Sequence, residues 1–225
     1  MKLTDDLYAY VWQGRDNNCN TYLFANVLEN NKHIIIDPGH IITPYLKEAG
    51  YDRLVKAIGN DGLKIEDIGV VVITHAHPDH IESARKFQEK SQALVVLSEE
   101  EEPVFKMFNG GKVDAFINEG PLKVGNLVKE PLEVIHTPGH SIGEISLYWP
   151  AKKALAVGDV IFYHNTGRVD LPGGSPQQLK ESIEKLSKLE VEYLLCGHPY
   201  ENPGVIIGKK NVRDNFEFLK ENIWF

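Results

Sequence analysis

Three short apolar runs near the start of the chain predict a β-meander. They cover residues 7–11, 19–25 and 33–37. Pro38 and Gly39 then stop the third strand, which places Asp37 at its end. A further apolar run at 69–73 has no polar alternation, so it predicts a strand that is buried on both faces.

The rest of the chain alternates between helical spacing of apolar residues and further strand-like runs. Helices are predicted over 43–59 and 81–90, from Ser98 onward, from Ser175 as N-cap to about residue 189, and over 205–225. The residues predicted to pack against the body are Leu46, Ala49, Leu54 and Ile58 in the first of these helices and Phe216, Leu219 and Trp224 in the last. Strands are predicted over 94–97, 132–137, 144–149, 153–157 and 192–196. This order is β-rich and then helical, twice over, without a linker or a break in composition. We therefore predict a single domain, residues 1–225, in which two similar halves form one sandwich with helices outside.

A run of four glutamates, residues 99–102, follows the strand predicted at 94–97. Ser98 and Glu101 have the spacing of a capping box, and acidic residues in a first turn favour a helix start. We interpret the run as the solvated beginning of a helix rather than as a cation site or a partner site.

The stretch directly after the buried strand at 69–73 has an unusual composition. It reads Thr74-His75-Ala76-His77-Pro78-Asp79-His80, with three imidazoles and one carboxylate. Such side chains are costly to bury without partners, whereas imidazole nitrogens and carboxylate oxygens are ligands of Zn, Fe and Mn. The stretch therefore predicts a metal site on a strand-to-helix loop, to which other parts of the chain must contribute.

Three later strand ends share a glycine followed by a ligand-type residue. They are Gly139-His140, Gly158-Asp159 and Gly197-His198. A glycine lets the backbone turn sharply, so the next side chain can project from the strand end into a common cavity. A single Gly-His pair means little, but four strand ends that carry His or Asp together point to one shared site.

These motifs make the chain resemble the metallo-β-lactamase-fold hydrolases, and within them the glyoxalase II-like (hydroxyacylglutathione hydrolase-like) branch. The family signature His-x-His-x-Asp-His stands at residues 75–80, and the later ligands match His140, Asp159 and His198. Residues 167–175 also look like a loop typical of small bacterial and archaeal members. The resemblance runs from about residue 11 to about residue 210. It implies an α+β fold, a four-layer αββα sandwich of two mixed β-sheets with helices on the outer faces.

The resemblance also implies two divalent metal ions per chain. His75, His77 and His140 would hold one ion, Asp79, His80 and His198 would hold the other, and Asp159 would bridge them. Five imidazoles and two carboxylates without a thiolate suit Zn, Fe or Mn, and we expect Zn first. Water between the cations would have its pKa lowered toward ~7. Asp79 would position the resulting hydroxide and accept its proton.

Some positions depart from the family pattern. His77 stands where diiron oxidoreductase relatives have Glu, which disfavours reduction of oxygen or nitric oxide. Ile81-Glu82-Ser83 replaces a common Gly-Gly or Ser-Gly pair. Twenty-seven residues follow His198, too few for the helical C-terminal region with which true glyoxalase II enzymes bind glutathione. This short C-terminal stretch therefore counts against a glutathione thioester as the substrate.

The leading functional prediction is a metal-dependent hydrolase of an ester-like bond, with a thioester as the first candidate. One alternative is a persulfide dioxygenase-like enzyme, in which His75, His140 and Asp159 would hold a single iron. A phosphodiesterase, a nuclease or a lactonase is a further alternative. A purely structural zinc site is disfavoured, because such sites are usually cysteine-rich.

Four more residues are candidates for supporting roles or substrate contacts: Asp37, Tyr163, His164 and Arg168. Asp37 either caps a turn or supports a metal ligand. Tyr163 and His164 lie in a loop at the predicted rim of the site, as does His40. Arg168 is better explained as the partner of Asp170, and His33 is predicted on the surface of a strand.

Composition limits the class of protein and of partner. The chain has 225 residues, a formal charge of −8 and a pI near 5.6, which argue against a general nucleic-acid binder. Two cysteines are too few for a disulfide framework. The N-terminus lacks the apolar core of a secretory signal, and no apolar run approaches the ~20 residues of a membrane span. We expect a cytoplasmic enzyme that binds a small molecule, without nucleic-acid or membrane partners and with its oligomeric state open, a homodimer included.

Overall fold

The computed structural model describes residues 1–199 and 204–222. Within these ranges the chain forms two compact units. The first unit contains residues 1–117 and 123–130, and the second contains residues 118–122 and the described residues from 131 onward. Each unit has its own six-stranded mixed sheet. The single-domain organisation of residues 1–225 stays a prediction.

The sheet of the first unit has its strands in sequence order. They are β1 (Leu7–Tyr10), β2 (Thr21–Phe24), β3 (His33–Ile36), β4 (Ile68–Val72), β5 (Leu94–Leu97) and β6 (Ala115–Phe116). Its helices are α1 (Gly50–Asn60), α2 (Pro78–Ile81), α3 (Ala84–Ser91) and α4 (Glu102–Met107). β1 to β3 pair antiparallel, which confirms the predicted meander, and β3 to β6 pair parallel.

Alternate strand residues of the first unit pack in one buried cluster with its helices. The cluster includes Tyr8, Leu23, Ile35, Val71, Val95, Ile58 of α1 and Phe87 of α3. Val70 and Val72, which lie between these positions on β4, are buried as well. β4 is therefore apolar on both faces, as its continuous apolar run predicts. Burial of the whole strand fixes the point at which the His-rich stretch begins.

The sheet of the second unit has the order β12-β11-β10-β9-β8-β7. Its strands are β7 (Gly120–Pro121), β8 (Glu133–His136), β9 (Ile145–Trp149), β10 (Ala154–Ala156), β11 (Tyr193–Leu195) and β12 (Val205–Ile207). Its helices are α5 (Pro176–Leu186) and α6 (Lys209–Asn222). β10 and β11 pair parallel, and their other neighbours pair antiparallel. Ser175 caps α5 as predicted, since its hydroxyl oxygen accepts from the backbone N–H of Gln178.

The helix predicted over residues 43–59 begins only at Gly50. Asp16 Oδ2 accepts from the backbone N–H groups of Tyr45 and Leu46 at 2.8 and 2.6 Å. Lys47 is left-handed, with a φ of 55°. These features hold residues 43–49 in a loop. Leu46, predicted on the buried face of the helix, is 50% exposed as a result.

Two other predicted helices are interrupted. The helix predicted over 81–90 corresponds to α3, which begins only at Ala84, after the single turn of α2 has ended at Ile81. The predicted tail helix over 205–225 starts with β12, and Gly208, with a φ of 98°, separates this strand from α6. Phe216 and Leu219 of α6 are buried as predicted, and Trp224 lies outside the described residues.

The capping box predicted for Ser98 and Glu101 is wrong. The Ser98 hydroxyl donates to Glu100 Oε2 at 2.9 Å. Glu101 is only 1% exposed, and its Oε2 accepts from the backbone N–H of Ala76 at 2.8 Å. The glutamate run therefore has an exposed part and one carboxylate that turns inward.

The surface position predicted for His33 is also wrong. His33 is buried at the start of β3, and its Nδ1 accepts from the backbone N–H of Asn26 at 3.1 Å. Burial lowers the pKa of its imidazole below the ordinary value. His33 is therefore a neutral core residue of the meander.

Candidate metal centre

The predicted ligand stretch of the first unit follows β4 directly. His75 and His77 lie in the loop after the strand, and Asp79 and His80 lie in the single turn of α2. The ring centroids of His75 and His77 are 4.6 Å apart, and those of His75 and His80 are 4.1 Å apart. Ligand-type atoms of these two pairs, and of Asp79 with His80, lie within 4.8 Å of each other. The stretch thus brings its four ligand-type side chains together.

Asp37, at the end of β3, connects two of these histidines. Its Oδ1 accepts from the Thr74 backbone N–H at 2.8 Å, and its Oδ2 accepts from the Thr74 hydroxyl at 2.7 Å. The same Oδ2 lies 2.9 Å from His80 Nδ1, and Thr74 Oγ1 lies 3.1 Å from His75 Nδ1. Since a carboxylate only accepts, and the Thr74 hydroxyl already donates to it, both rings are assigned a proton on Nδ1. Nε2 is then the nitrogen that each ring offers to a metal.

Asp79 is held by a loop that precedes β2. Asn17 Nδ2 donates to Asp79 Oδ2 at 2.7 Å, and the backbone N–H of Cys19 donates to the Asp79 carbonyl at 3.4 Å. Sequence reasoning missed Asn17, because a turn-rich stretch does not reveal a contact with a residue 62 positions away. Asn17 is itself exposed, so a surface side chain contacts the buried carboxylate of Asp79.

The departure at Ile81-Glu82-Ser83 has a structural explanation. Ile81 is buried in the core of the first unit. The backbone N–H of Ser83 donates to the Gly39 carbonyl at 2.8 Å, and Glu82 Oε2 lies 2.9 Å from His40 Nδ1. The tripeptide therefore fastens the end of α2 to the loop that follows Asp37. His40 is buried beside Glu82 rather than exposed at a rim.

The second unit brings together the other three predicted ligands. Asp159 Oδ2 lies 3.6 Å from His140 Nε2 and 3.4 Å from His198 Nε2, and all three residues are buried. Two ligand atoms that each lie ~2.1 Å from one tetrahedral metal are about 3.4 Å apart. His140 Nδ1 lies 2.7 Å from the Arg168 carbonyl oxygen, which as an acceptor fixes the proton on Nδ1. Nε2 is again the candidate ligand atom.

The glycines that precede these ligands act in two different ways. Gly139 has a φ of 141°, and a Cβ there would lie 2.3 Å from the Leu179 nitrogen. This agrees with the predicted sharp turn. Gly197 instead permits a close approach, since a Cβ at this position would lie 2.2 Å from Asp159 Oδ1.

The remaining candidates lie in the loop after β10. The rings of Tyr163 and His164 stack at 4.0 Å, and those of His164 and Phe218 stack at 4.1 Å. Arg168 pairs with Asp170 as predicted, through bonds of 2.7 and 2.6 Å. These bonds from the guanidinium hold the pKa of Asp170 at about 2. The backbone carbonyl of Arg168 accepts a hydrogen bond from His140, whereas the Arg168 side chain is paired with Asp170.

The donor set fits divalent metal ions. The four ligand-type side chains of the first unit and the three of the second are imidazoles and carboxylates, which suit Zn, Fe and Mn. In His75, His80 and His140, an oxygen of the protein lies within 3.1 Å of Nδ1. Such support of the distal nitrogen is typical of metal-binding histidines.

The family model of the metallo-β-lactamase superfamily matches residues 14–198 of the chain. The chain belongs to this superfamily. It is 32% identical over 191 residues to YqgX of Bacillus subtilis, a probable metallo-hydrolase, covering 76% of this chain and 82% of that protein. It is 30% identical over 174 residues to a hydroxyacylglutathione hydrolase of Rhodopseudomonas palustris, covering 76% of this chain and 63% of the relative.

Solved structures confirm the predicted fold. The B3 metallo-β-lactamase BLEG-1 superposes with a TM-score of 0.71 at 25% identity, covering 95% of this chain and 99% of the other. TTHA1623 in a di-iron-bound form superposes with a TM-score of 0.67 at 25% identity, covering 85% and 91%. The chain is therefore an α+β metal-dependent hydrolase of the metallo-β-lactamase fold. Within the two described ranges, no helix has both the length and the apolar character needed to cross a membrane.

Proposed function

We propose that the chain hydrolyses a thioester with a centre of two divalent metal ions. His75, His77 and His140 would hold one ion, Asp79, His80 and His198 would hold the other, and Asp159 would contribute to both. The observation that carries the proposal is the fixed orientation of the ligand rings. In His75, His80 and His140, a protein oxygen occupies the Nδ1 side, so Nε2 is directed to a metal.

The residues of the chain prepare water for attack on the thioester carbonyl. When bound, divalent ions lower the pKa of water and polarise a carbonyl oxygen. Asn17 holds the Asp79 side chain through Oδ2, and the Asp79 carboxylate orients the water and accepts its proton. The water oxygen forms the new bond to the acyl carbon, the carbon–sulfur bond breaks, and the thiolate leaves with the electron pair. Asp79 then returns the proton to the products.

We propose a thioester as the substrate because several relatives are hydroxyacylglutathione hydrolases. The chain spans 63% of the Rhodopseudomonas relative and 66% of that of Nitrobacter hamburgensis. We therefore propose a small acyl thioester as the substrate class, without a requirement for the glutathione moiety. A panel of acyl thioesters with glutathione, coenzyme A and simple alkyl thiols, together with lactones and phosphodiesters, tests this class.

The proposal is tested with His77→Ala and Asp159→Ala. Each variant removes one ligand, so metal content and thioester hydrolysis should fall together, with activity reduced at least ~10²-fold. His136→Ala is the matched control, because His136 lies at the end of β8 outside the proposed ligand set. A metal-depleted variant that hydrolyses the thioester at the wild-type rate would overturn the proposal.

The same measurements distinguish an oxidative function. A persulfide dioxygenase-like enzyme would contain one iron per chain and would consume oxygen in the presence of a persulfide. Elemental analysis combined with an oxygen electrode detects both properties. That result, without thioester hydrolysis, would replace the hydrolase proposal.

A further inference from the structure

Each unit contains a buried glutamate whose carboxylate contacts a loop of proposed ligands. Glu101 is 1% exposed in the first unit, and Glu144 is 0% exposed in the second. Burial of a carboxylate is costly unless hydrogen bonds compensate for its lost hydration. The bonds that these two carboxylates make therefore indicate their role.

Glu101 bonds to the peptide between two proposed ligands. Its Oε2 accepts from the backbone N–H of Ala76 at 2.8 Å. Ala76 separates His75 from His77, so this bond fixes the backbone from which both imidazoles project. Glu101 directly precedes α4, and Phe105, one turn later, is fully buried. The inward direction of the carboxylate is thus anchored by the core.

Glu144 has the corresponding place in the second unit. Its Oε1 accepts from the backbone N–H of Asp159 at 2.8 Å. Its own backbone carbonyl accepts from the N–H of Thr137 at 2.8 Å, which anchors Glu144 to the end of β8. The carboxylate therefore fixes the backbone of the residue that we assign as the bridging ligand.

We propose that Glu101 and Glu144 are positioning residues that set the affinity of the metal centre. This inference rests on the proposed function, because it takes His75, His77 and Asp159 as ligands. A carboxylate accepts a stronger hydrogen bond from an N–H group than a neutral oxygen does. It also adds negative charge beside a site that binds cations. The hydrogen bond holds the ligand backbone in place before the metal arrives, and the charge attracts the cation.

The test compares Zn²⁺ affinity in Glu101→Ala, Glu101→Gln, Glu144→Ala and Glu144→Gln. The exposed residues Glu99 and Glu133 supply the control variants Glu99→Gln and Glu133→Gln. Affinity is measured by competition with a chromophoric chelator, and urea unfolding of the metal-free proteins reports stability separately. The absorption spectrum of Co²⁺-loaded protein reports the geometry of the ligands.

The alanine variants should bind Zn²⁺ about 10- to 100-fold more weakly and show altered Co²⁺ spectra. The glutamine variants keep an acceptor oxygen but lose the charge, so their affinity should fall by about threefold to tenfold. The control variants should match the wild type. If an alanine variant does not fold, the glutamine variant at that position decides.

Unchanged Zn²⁺ affinity in every variant that folds would overturn the inference, even if metal-free stability falls. That outcome would leave the proposed function intact, because the wild-type protein would still bind metal. Failure of the wild-type protein itself to bind Zn²⁺ would instead contradict the proposed function.

Discussion

Asp37 controls which nitrogen of His80 carries the proton. Its Oδ2 lies 2.9 Å from His80 Nδ1 and also accepts the Thr74 hydroxyl hydrogen, so one carboxylate orients two neighbouring side chains. Asp37 has a φ of 49°, a left-handed conformation that asparagine adopts as readily as aspartate. The residue can therefore be changed to asparagine without altering the backbone.

Asp37→Asn should weaken metal binding about 10- to 100-fold. The amide oxygen can still accept from the Thr74 N–H, but the amide nitrogen then faces His80 Nδ1. The ring is driven to the tautomer with its proton on Nε2, which removes the lone pair needed by a metal. Chelator competition with Zn²⁺ measures the effect, with Asp52→Asn on the exposed side of α1 as the control. Wild-type affinity in Asp37→Asn would mean that Asp37 only shapes the turn.

Asn17→Ala should lower kcat about 10-fold while most of the bound metal is retained. The substitution removes the 2.7 Å bond to Asp79 Oδ2, so the carboxylate loses its fixed orientation. Asn17→Asp should reduce kcat further, because a second carboxylate would repel the first. Steady-state kinetics with metal analysis of the same samples measures both changes. Full activity in Asn17→Asp would exclude a role for this contact.

The candidate ligand residues could be recognised in the sequence, whereas the residues that support them could be recognised only in part. His and Asp after a buried strand have few explanations other than a metal site. Glu101 lies in a run of four acids, and only its spacing of four residues from buried Phe105 distinguishes the inward member. Asn17 and Glu144 carry no such signal, because their partners are distant in sequence.

Among the elements, the loop at residues 43–49 shows how a side chain distant in sequence can hold a segment in a loop where apolar spacing predicts a helix. Asp16 Oδ2 accepts hydrogen bonds from the backbone N–H groups of Tyr45 and Leu46. Glu48 Oε2 accepts hydrogen bonds from the backbone N–H groups of Arg15 and Asp16. Apolar spacing alone does not reveal these reciprocal bonds. Most strands, by contrast, were predictable because they are apolar runs bounded by turn formers, whereas β12 lies in a stretch whose apolar spacing predicted a helix.

The hydrogen bonds of the Asp16 carboxylate should make the free energy of unfolding sensitive to acid. Burial acts to raise the pKa of the Asp16 carboxyl. Hydrogen bonds outweigh burial and hold this pKa at about 2; they come from Thr43, Leu46, Tyr45 and Asn17. The unfolded value is about 3.9, so the unfolded chain binds more protons between these values. The contribution of Asp16 is therefore fully present above about pH 4 and is lost as the pH falls through about 2.

Asp16→Asn tests this contribution by urea unfolding at pH 6 and at pH 3. The variant should be less stable than the wild type at pH 6, and the difference should shrink at pH 3. Asp5→Asn, at an exposed position, is the control. A difference that stays constant between the two pH values would show that the Asp16 charge does not stabilise the loop.

For the whole molecule, the fold could be predicted from the sequence more completely than the substrate could. Two mixed sheets were predicted, and the bounds of most of their strands agree with the prediction within two residues. The fold is shared by the solved B3 metallo-β-lactamase BLEG-1. Because one scaffold carries several chemistries, the choice of a thioester rests on relatives and ligands rather than on the fold.

We propose that the chain binds two divalent ions through seven side chains: His75, His77, Asp79, His80, His140, Asp159 and His198. The most direct test of this proposal is the metal content of the wild-type protein, loaded with Zn²⁺, freed of excess metal and analysed for Zn per chain. We expect two ions per chain in the wild type, and fewer than two after Asp159→Ala. A wild-type protein that retains no metal, or a single iron as its native content, would contradict the proposal.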